Sequence, residues 1–258
     1  MDLNLTGHRV VVTGAGSGIG LEIARGFAAE GARVMLSDAD AGALAALAAS
    51  DPDLMCAQCD VADRDSTAAF MQQAVAALGG LDTLVNNAGI AGPTGPVEEI
   101  APEDWDRCIT VCLTGQFNMA RIAVPHLKAS ANASIINLSS LAGRVGFALR
   151  TPYAAAKWGV IGFTKSLSIE LGPSGVRVNA ILPGLVAGDR QRRVLEAKAQ
   201  RLGKSFDEIE ETAFSYTSIR EYVTPRQIAD QILFIASERG RTVSGQAISV
   251  CGDTQMLA

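Results

Sequence analysis

The chain has 258 residues, enough for one large α/β domain or two small ones, and for a sizeable buried core. Hydrophobic residues make up 48% and charged residues 19%, which excludes a disordered chain, and a formal net charge of −5 gives no basis for broad nucleic-acid affinity. Met1 to Val12 lacks the basic stretch and apolar run of a secretory signal, and no apolar run nears the roughly 18 residues of a membrane-spanning helix. A cytoplasmic protein with reduced thiols is the expectation.

In chain order the pattern predicts strand Arg9–Thr13, helix Ile19–Glu30, strand Arg33–Ser37, helix Ala41–Ala49, strand Leu54–Cys59 and helix Asp65–Leu78. Strand Thr83–Asn86, helix Glu103–Lys128, strand Ser134–Leu138, helix Tyr153–Leu171, strand Arg177–Leu182, helix Thr224–Ser237 and strand Ala247–Val250 follow. The strands are rich in Val, Ile and Leu with little polar alternation, as strands buried on both faces are. Strand and helix in regular alternation predict an α/β fold: a doubly wound parallel sheet of about seven strands with helices on both faces, in one domain. Gly31, Gly79-Gly80 and Gly172-Pro173 fall where three of the helices end. Residues 185–223 interrupt the alternation. This charged stretch reads as one or two helices inserted before Thr224, covering the site as a lid, with its charge runs as solvated faces.

The cysteines suggest no framework. Cys56-x-x-Cys59 has a redox spacing but lies within a strand-like segment with no helix start beside it. Cys108 and Cys112 are four residues apart on a helix, but the histidines, His8 and His126, are not near enough in sequence to complete a ligand set. No metal is expected.

The first strand ends in Thr13-Gly14-Ala15-Gly16-Ser17-Gly18-Ile19-Gly20, and a helix follows. Glycines let a backbone approach a diphosphate closely, and the helix N-terminus offers free N–H groups to the anion. The spacing fits T-G-x-x-x-G-x-G through Gly14, Gly18 and Gly20, not the commoner G-x-G-x-x-G. The second strand runs into Asp38, eighteen residues after Gly20. A carboxylate there can accept from adenosine ribose hydroxyls and would repel the 2′-phosphate of NADP, so NAD is favoured; the plainer alternative is a turn residue before Asp40.

Tyr153-x-x-x-Lys157 opens a predicted helix, placing both side chains on one face, where an ammonium stabilises a phenolate. Alone, the pair is uninformative. Here it accompanies Asn86-Asn87-Ala88-Gly89 after the fourth strand, Ser139-Ser140 after the fifth and Pro183-Gly184 after the sixth. This set, in this order, resembles the short-chain dehydrogenase/reductase family in its common single-domain, Rossmann-type form, over nearly the whole chain.

The resemblance implies roles residue by residue. Gly14, Ser17, Gly18 and Ile19 would line the cofactor phosphates and ribose, Asp38 would bind ribose, and Asp60 and Val61 would contact adenine. Asn87, Ala88 and Gly89 would border the adenosine ribose, and Pro183, Gly184 and Val186 would orient the nicotinamide ring. Ser140, thirteen residues before Tyr153, would hydrogen-bond the substrate oxygen, in preference to Ser139. Tyr153 would be the acid/base, and Lys157 would ease its deprotonation and hold the nicotinamide ribose. The implied reaction is NAD-dependent hydride transfer at a secondary alcohol or ketone.

Four positions depart from the family pattern. Cys112 stands where an Asn supports a water relay to the lysine, and a thiol is a poor substitute for an amide. Gly188 stands where a Thr meets the nicotinamide carboxamide. Cys251 and Asp253 replace an Asp and a Gly in the tail, with consequences expected for packing or assembly more than for chemistry. An NAD-binding sensor or scaffold with little turnover is the non-enzymatic alternative.

Arg144, Arg150 and Arg190 are candidate contacts to an anionic substrate, and Arg192 and Arg193 share the charged insertion. Alternatively these arginines pair with acids such as Glu208 or Glu211, or contact a neighbouring subunit. A sugar, polyol or hydroxy acid is the first expectation for the substrate; a ketoacyl thioester or hydrophobic cyclic ketone is the second. The resemblance also implies a homotetramer, with a dimer contact built from the helices over 103–128 and 153–171.

Overall fold

Seven strands, β1 (Arg9–Thr13), β2 (Arg33–Asp38), β3 (Met55–Gln58), β4 (Thr83–Asn86), β5 (Ser134–Leu138), β6 (Arg177–Pro183) and β7 (Ala247–Val250), pair in parallel in the order β3-β2-β1-β4-β5-β6-β7. The computed structural model describes residues 2–257, and element counts refer to those. The order reverses between β1 and β4, which opens a crevice at their carboxyl ends.

Helices α1 (Gly18–Ala29), α2 (Ala41–Ser50) and α9 (Pro225–Ala236) belong to one face. Helices α3 (Arg64–Leu78), α5 (Gly115–Leu127) and α6 (Thr151–Leu171) belong to the other. Successive strand residues point to opposite faces. Val10 and Val12 therefore join Ile23, Phe27, Ile228 and Ile232, while Val11 joins Phe70, Met71, Met119 and Ala123. Each face of β1 has its own helical layer to bury, which is why the strand has no polar alternation.

Side-chain caps fix several boundaries. Asp40 accepts from Gly42 and Ala43 at the start of α2, and Asp63 accepts from Asp65 and Ser66 at the start of α3. Thr224 and Gln227 form a capping box on α9, so Thr224 and Ser237, expected inside that helix, are its caps. The expected third strand is shorter than its apolar run, covering only Met55–Gln58.

The helix expected over 103–128 is interrupted. It consists of α4 (Pro102–Ile109), a π-helical turn over Thr110–Thr114, and α5. The insertion after β6 holds two helices, α7 (Asp189–Leu202) and α8 (Phe206–Ser215), around Leu185, Leu195, Ala199, Ile209 and Ala213. It leaves and rejoins the body at a parallel bridge between Val186 and Val223.

At the amino-terminal edge of the sheet, Asp82 binds β1 to the turn before β5. Its carboxylate accepts from Arg9 N and Nε, both at 2.8 Å, and from Arg9 Nη2 and Ser130 Oγ, both at 2.6 Å. Burial alone would raise its pKa, but the bonds from Arg9 and Ser130 outweigh burial and hold it at about 2. A depressed folded-state value contributes stability that is present above the ordinary carboxylate range and lost as pH falls through about 2. Asp82→Asn is expected to lower unfolding stability by about 2 kcal/mol at neutral pH, measured by urea titration, and the gap to the parent should narrow below pH ~4.

Candidate active site

The glycine turn is held by the end of β4. Thr13 Oγ1 accepts from the amides of Asn87 and Ala88, each at 3.1 Å. The Asn87 side-chain amide donates to the carbonyls of Thr13 at 3.0 Å and Gly14 at 2.7 Å. The Asn87 side chain thus shapes the turn from behind, with its amide hydrogens engaged there.

Gly14 has φ +60°, and a Cβ built on it would come within 2.6 Å of Ala88 Cα, so both conformation and space demand glycine. Gly18 has φ +57° with open space where a Cβ would stand, so there the conformation alone selects glycine. Ser17 is the extended N-cap of α1, and its hydroxyl makes no capping bond. The first turn of α1 contains no acidic residue, which leaves the helix dipole and the Gly18 and Ile19 amides for an external anion.

Asp38 lies across from this turn at the end of β2. Its carboxylate accepts from Gly16 N at 2.9 Å and Asp40 N at 3.1 Å, and no ion pair among the described residues includes it. Two backbone amides fix its orientation and leave its remaining lone pairs for hydroxyl donors. Asp60 accepts from Ala62 N at 3.0 Å, and Val61 is a core residue packed against Gly115. These residues fit a bound dinucleotide: a helix N-terminus without a carboxylate of its own, a free cap hydroxyl and an oriented acid one strand away.

Tyr153 and Lys157 share one face of α6, with Lys157 Nζ 5.6 Å from the centre of the Tyr153 ring. Lys157 is buried and donates to the carbonyl of Leu138, the last residue of β5, at 2.7 Å. Ser139 Oγ donates to the Lys157 carbonyl at 2.8 Å and is buried, whereas the Ser140 hydroxyl accepts only from Ala142 N at 3.1 Å. Ser140 therefore retains a hydroxyl proton for a ligand. The tail braces the next strand end: Gly184 N donates to Val250 O, and a Cβ on Gly184 would meet Cys251 Cβ at 2.7 Å. Asp253 takes φ +58°, a region that glycine enters freely, and holds Ser218 Oγ at 2.6 Å.

The π-helical turn presents Cys112 to the Ile90 backbone. Its sulfur lies 3.4 Å from both Ile90 N and Ile90 O, so the thiol accepts from one and donates to the other. A Cβ on Gly89 would stand 3.6 Å from both Cys112 Sγ and Lys157 Nζ. The thiol thus uses both its donor and its acceptor capacity on one residue's backbone. Cys112 is the more acidic of the Cys108–Cys112 pair, because Cys108 hydrogen-bonds to it and Lys157 lies near; Cys108 is correspondingly pushed up.

The three candidate arginines part company. Arg144 donates to Ala247 O and Ser249 Oγ on the outer strand β7, so it closes the sheet edge rather than lining the crevice. Arg190, at the start of α7, reaches across to Gly89 O at 2.6 Å. Arg150 is 3% exposed, donates to Ala91 O and stands 5.4 Å from the Tyr153 ring centre. The acids named as alternative partners are not used: Glu208 caps α8, and Arg192 pairs with Glu196 in the same helix.

Sequence reasoning missed a buried chain of amides beneath the site. Asn86 donates to Asn137, Asn137 donates to Thr164, and Gln116 donates to the same Leu138 carbonyl that holds Lys157. Polar residues within apolar strands were the available signal. It also missed Lys198, which reads as one more charge on a solvated helix yet is buried near Phe147.

A doubly wound sheet whose first crossover is glycine-rich, with its polar side chains gathered at the carboxyl ends of the strands, is the architecture of a nicotinamide-dinucleotide oxidoreductase. The chain belongs to the short chain dehydrogenase family, whose model matches residues 8–199. It is 38% identical to cis-4-hydroxycyclohexanecarboxylate dehydrogenase of Sinomonas cyclohexanicum, over 94% of each chain. It superposes on NAD+-bound xylitol dehydrogenase with a TM-score of 0.91 at 26% identity, covering 96% of this chain and 99% of that one. For actinorhodin polyketide ketoreductase with NADPH the TM-score is 0.90 at 32% identity, covering 95% and 96%.

Cys112→Ala removes both contacts to Ile90 and is expected to lower kcat several-fold with a smaller change in KM, together with about 1 kcal/mol of stability. Cys112→Asn should restore kcat. Steady-state kinetics alongside thermal unfolding separates the positioning effect from a general loss of folding.

Proposed function

We propose that the protein is an NAD-dependent oxidoreductase that interconverts a secondary alcohol and a ketone. The observation that carries this reading is the convergence of Tyr153, Lys157 and the free Ser140 hydroxyl where β5 and α6 meet. Ser140 donates a hydrogen bond to the substrate oxygen, and Tyr153 exchanges a proton with that oxygen. Lys157, held by the Leu138 carbonyl, places its ammonium beside the phenol that exchanges the proton. A bound NAD would supply the hydride acceptor or donor for this exchange.

Gly14, Ser17, Gly18 and Ile19 would hold its diphosphate, Asp38 its adenosine ribose, and Asp60 and Val61 its adenine. Asn87, Ala88 and Gly89 would line the ribose path, Lys157 would hold the nicotinamide ribose, and Pro183, Gly184 and Val186 would orient the ring. Asp38 supports NAD over NADP, because a carboxylate without a neighbouring cation repels a 2′-phosphate. The segment 185–223 acts as a lid, with the Arg190 bond to Gly89 as its latch. A sugar, polyol or hydroxy acid is the substrate class.

The cytoplasm is the proposed location; no helix among the described residues is long and apolar enough to cross a membrane, and all five cysteines are free. Trp105, Phe117, Trp158 and Ile169 lie exposed on α4, α5 and α6, the expected dimer-building helices. Such surface supports a homotetramer, and light scattering on the eluted protein should give four times the chain mass, a monomer counting against it.

Absorbance of reduced nicotinamide, followed with a panel of secondary alcohols, sugars, polyols and hydroxy acids, tests the activity. Tyr153→Phe should lower kcat by about 10³-fold while NAD binding persists. NAD should be preferred over NADP by kcat/KM, with the preference weakened in Asp38→Ser. NAD binding without turnover on the whole panel would point instead to a sensor.

A further inference from the structure

Three cationic side chains lie near one another with no carboxylate paired to any of them, and one of the three, Arg150, lies over the Tyr153 ring. Arg150, the residue before α6, is buried; its Nη2 reaches Ala91 O, but Nε and Nη1 have no hydrogen-bond partner among the described residues. Lys198, from α7, is 7% exposed, and its Nζ has no partner either. The Arg150 guanidinium and the Lys198 ammonium lie 5.4 Å and 5.3 Å from the centre of one ring, that of Phe147. The third is Arg190, near enough to act electrostatically on Arg150. No ion pair among the described residues includes Arg150, Lys198 or Arg190.

Such an arrangement is costly by itself. A buried cation loses hydration worth several kcal/mol, and a second buried cation nearby adds repulsion. Burial disfavours the charged form at both residues, and at Lys198 the Arg150 charge adds to that effect. Other buried cations here do have acceptors: Arg177 donates to the carbonyls of Gly240 and Ala236, and Lys157 to that of Leu138. Arg150 Nε and Nη1 and Lys198 Nζ have no such acceptor and lie beside the Phe147 ring instead.

We infer that Arg150 and Lys198 together form a carboxylate-binding subsite, which selects hydroxy acids of short reach between carbinol and carboxylate. The reading of Tyr153 as the proton-transfer group is assumed. Because Arg150 lies over the Tyr153 ring, a carboxylate on it is only a few carbon atoms from an oxygen held by Tyr153 and Ser140. Arg150 belongs to the body and Lys198 to the inserted helix. The bound anion therefore bridges the two and draws α7 onto the substrate. A neutral ketoacyl thioester supplies no charge to offset the two cations, and a sugar or polyol supplies none either.

The test compares 3-hydroxybutyrate and cis-4-hydroxycyclohexanecarboxylate with their primary amides, using NAD and the full-length protein. In the parent, kcat/KM for acid over amide should be at least about 100. In Lys198→Met and in Arg150→Met that ratio should fall by about 100-fold, the effect of truncating one partner of a buried charge pair. Arg192→Ala removes an equal charge from the exposed side of α7 and should leave the ratio as in the parent. Ligand-free Lys198→Met should melt no lower than the parent, because an uncompensated buried charge has been removed. Cyclohexanecarboxylate should raise the melting temperature of the parent–NAD complex and not that of Lys198→Met. Amides used as well as acids by the parent, or a ratio unchanged in both methionine variants, would overturn the subsite while leaving the oxidoreductase reading intact. If no alcohol is turned over but cyclohexanecarboxylate still stabilises only the proteins that retain Lys198, the subsite stands and the catalytic reading falls.

Discussion

The bond from Lys157 Nζ to the Leu138 carbonyl is the interaction on which the site depends. It joins α6, which carries the candidate proton-transfer residue, to the end of a central strand. An ammonium at this depth has no carboxylate to pair with and needs a fixed acceptor. The carbonyl serves because β5 is held on both sides by parallel partners, which fix its last residue in place. Gln116 donates to the same oxygen, and Asn86, Asn137 and Thr164 continue the chain inward. These buried amides fix the height of the strand end, and thereby the position of Lys157 relative to Tyr153.

The same economy of backbone acceptors runs through the rest of the site. Ser139 binds the Lys157 carbonyl, Asn87 binds the glycine turn from behind, and Cys112 bridges the Ile90 amide and carbonyl. These side chains are engaged in shaping backbone. The groups left with free capacity are few: the Ser17 and Ser140 hydroxyls, part of the Asp38 carboxylate, and the unpartnered nitrogens of Arg150 and Lys198.

Cys112 illustrates how fold can compensate for sequence. A thiol is a weaker hydrogen-bonding group than an amide and has fewer directions available. The π-helical turn brings its sulfur within 3.4 Å of both polar atoms of one peptide unit, so donor and acceptor capacity are both used. Neither the turn nor the contact is visible in helical periodicity, because a π turn changes hydrogen-bond register without changing the run of helix-forming residues.

Much of the fold was legible because it rests on local rules. Apolar runs such as Arg9–Thr13 and Ser134–Leu138 coincide with their strands, and Gly79 ends α3 in the left-handed conformation that glycine adopts readily. The tight glycine turn, the carboxylate that ends β2 and the shared helix face of Tyr153 and Lys157 were likewise legible, since each is a short segment with local geometry. The tertiary structure alone decided the rest. It sent Arg144 to the free edge of β7, Arg190 to a backbone carbonyl and Arg150 to a buried position over the Tyr153 ring, although all three read alike as arginines near the site. It buried Lys198, which sits in a charged run indistinguishable from a solvated face. The physical reason is that charge type and spacing are properties of the chain, whereas burial and the absence of a counterion arise only when distant segments, here residues 147–150 and α7, close on the same volume.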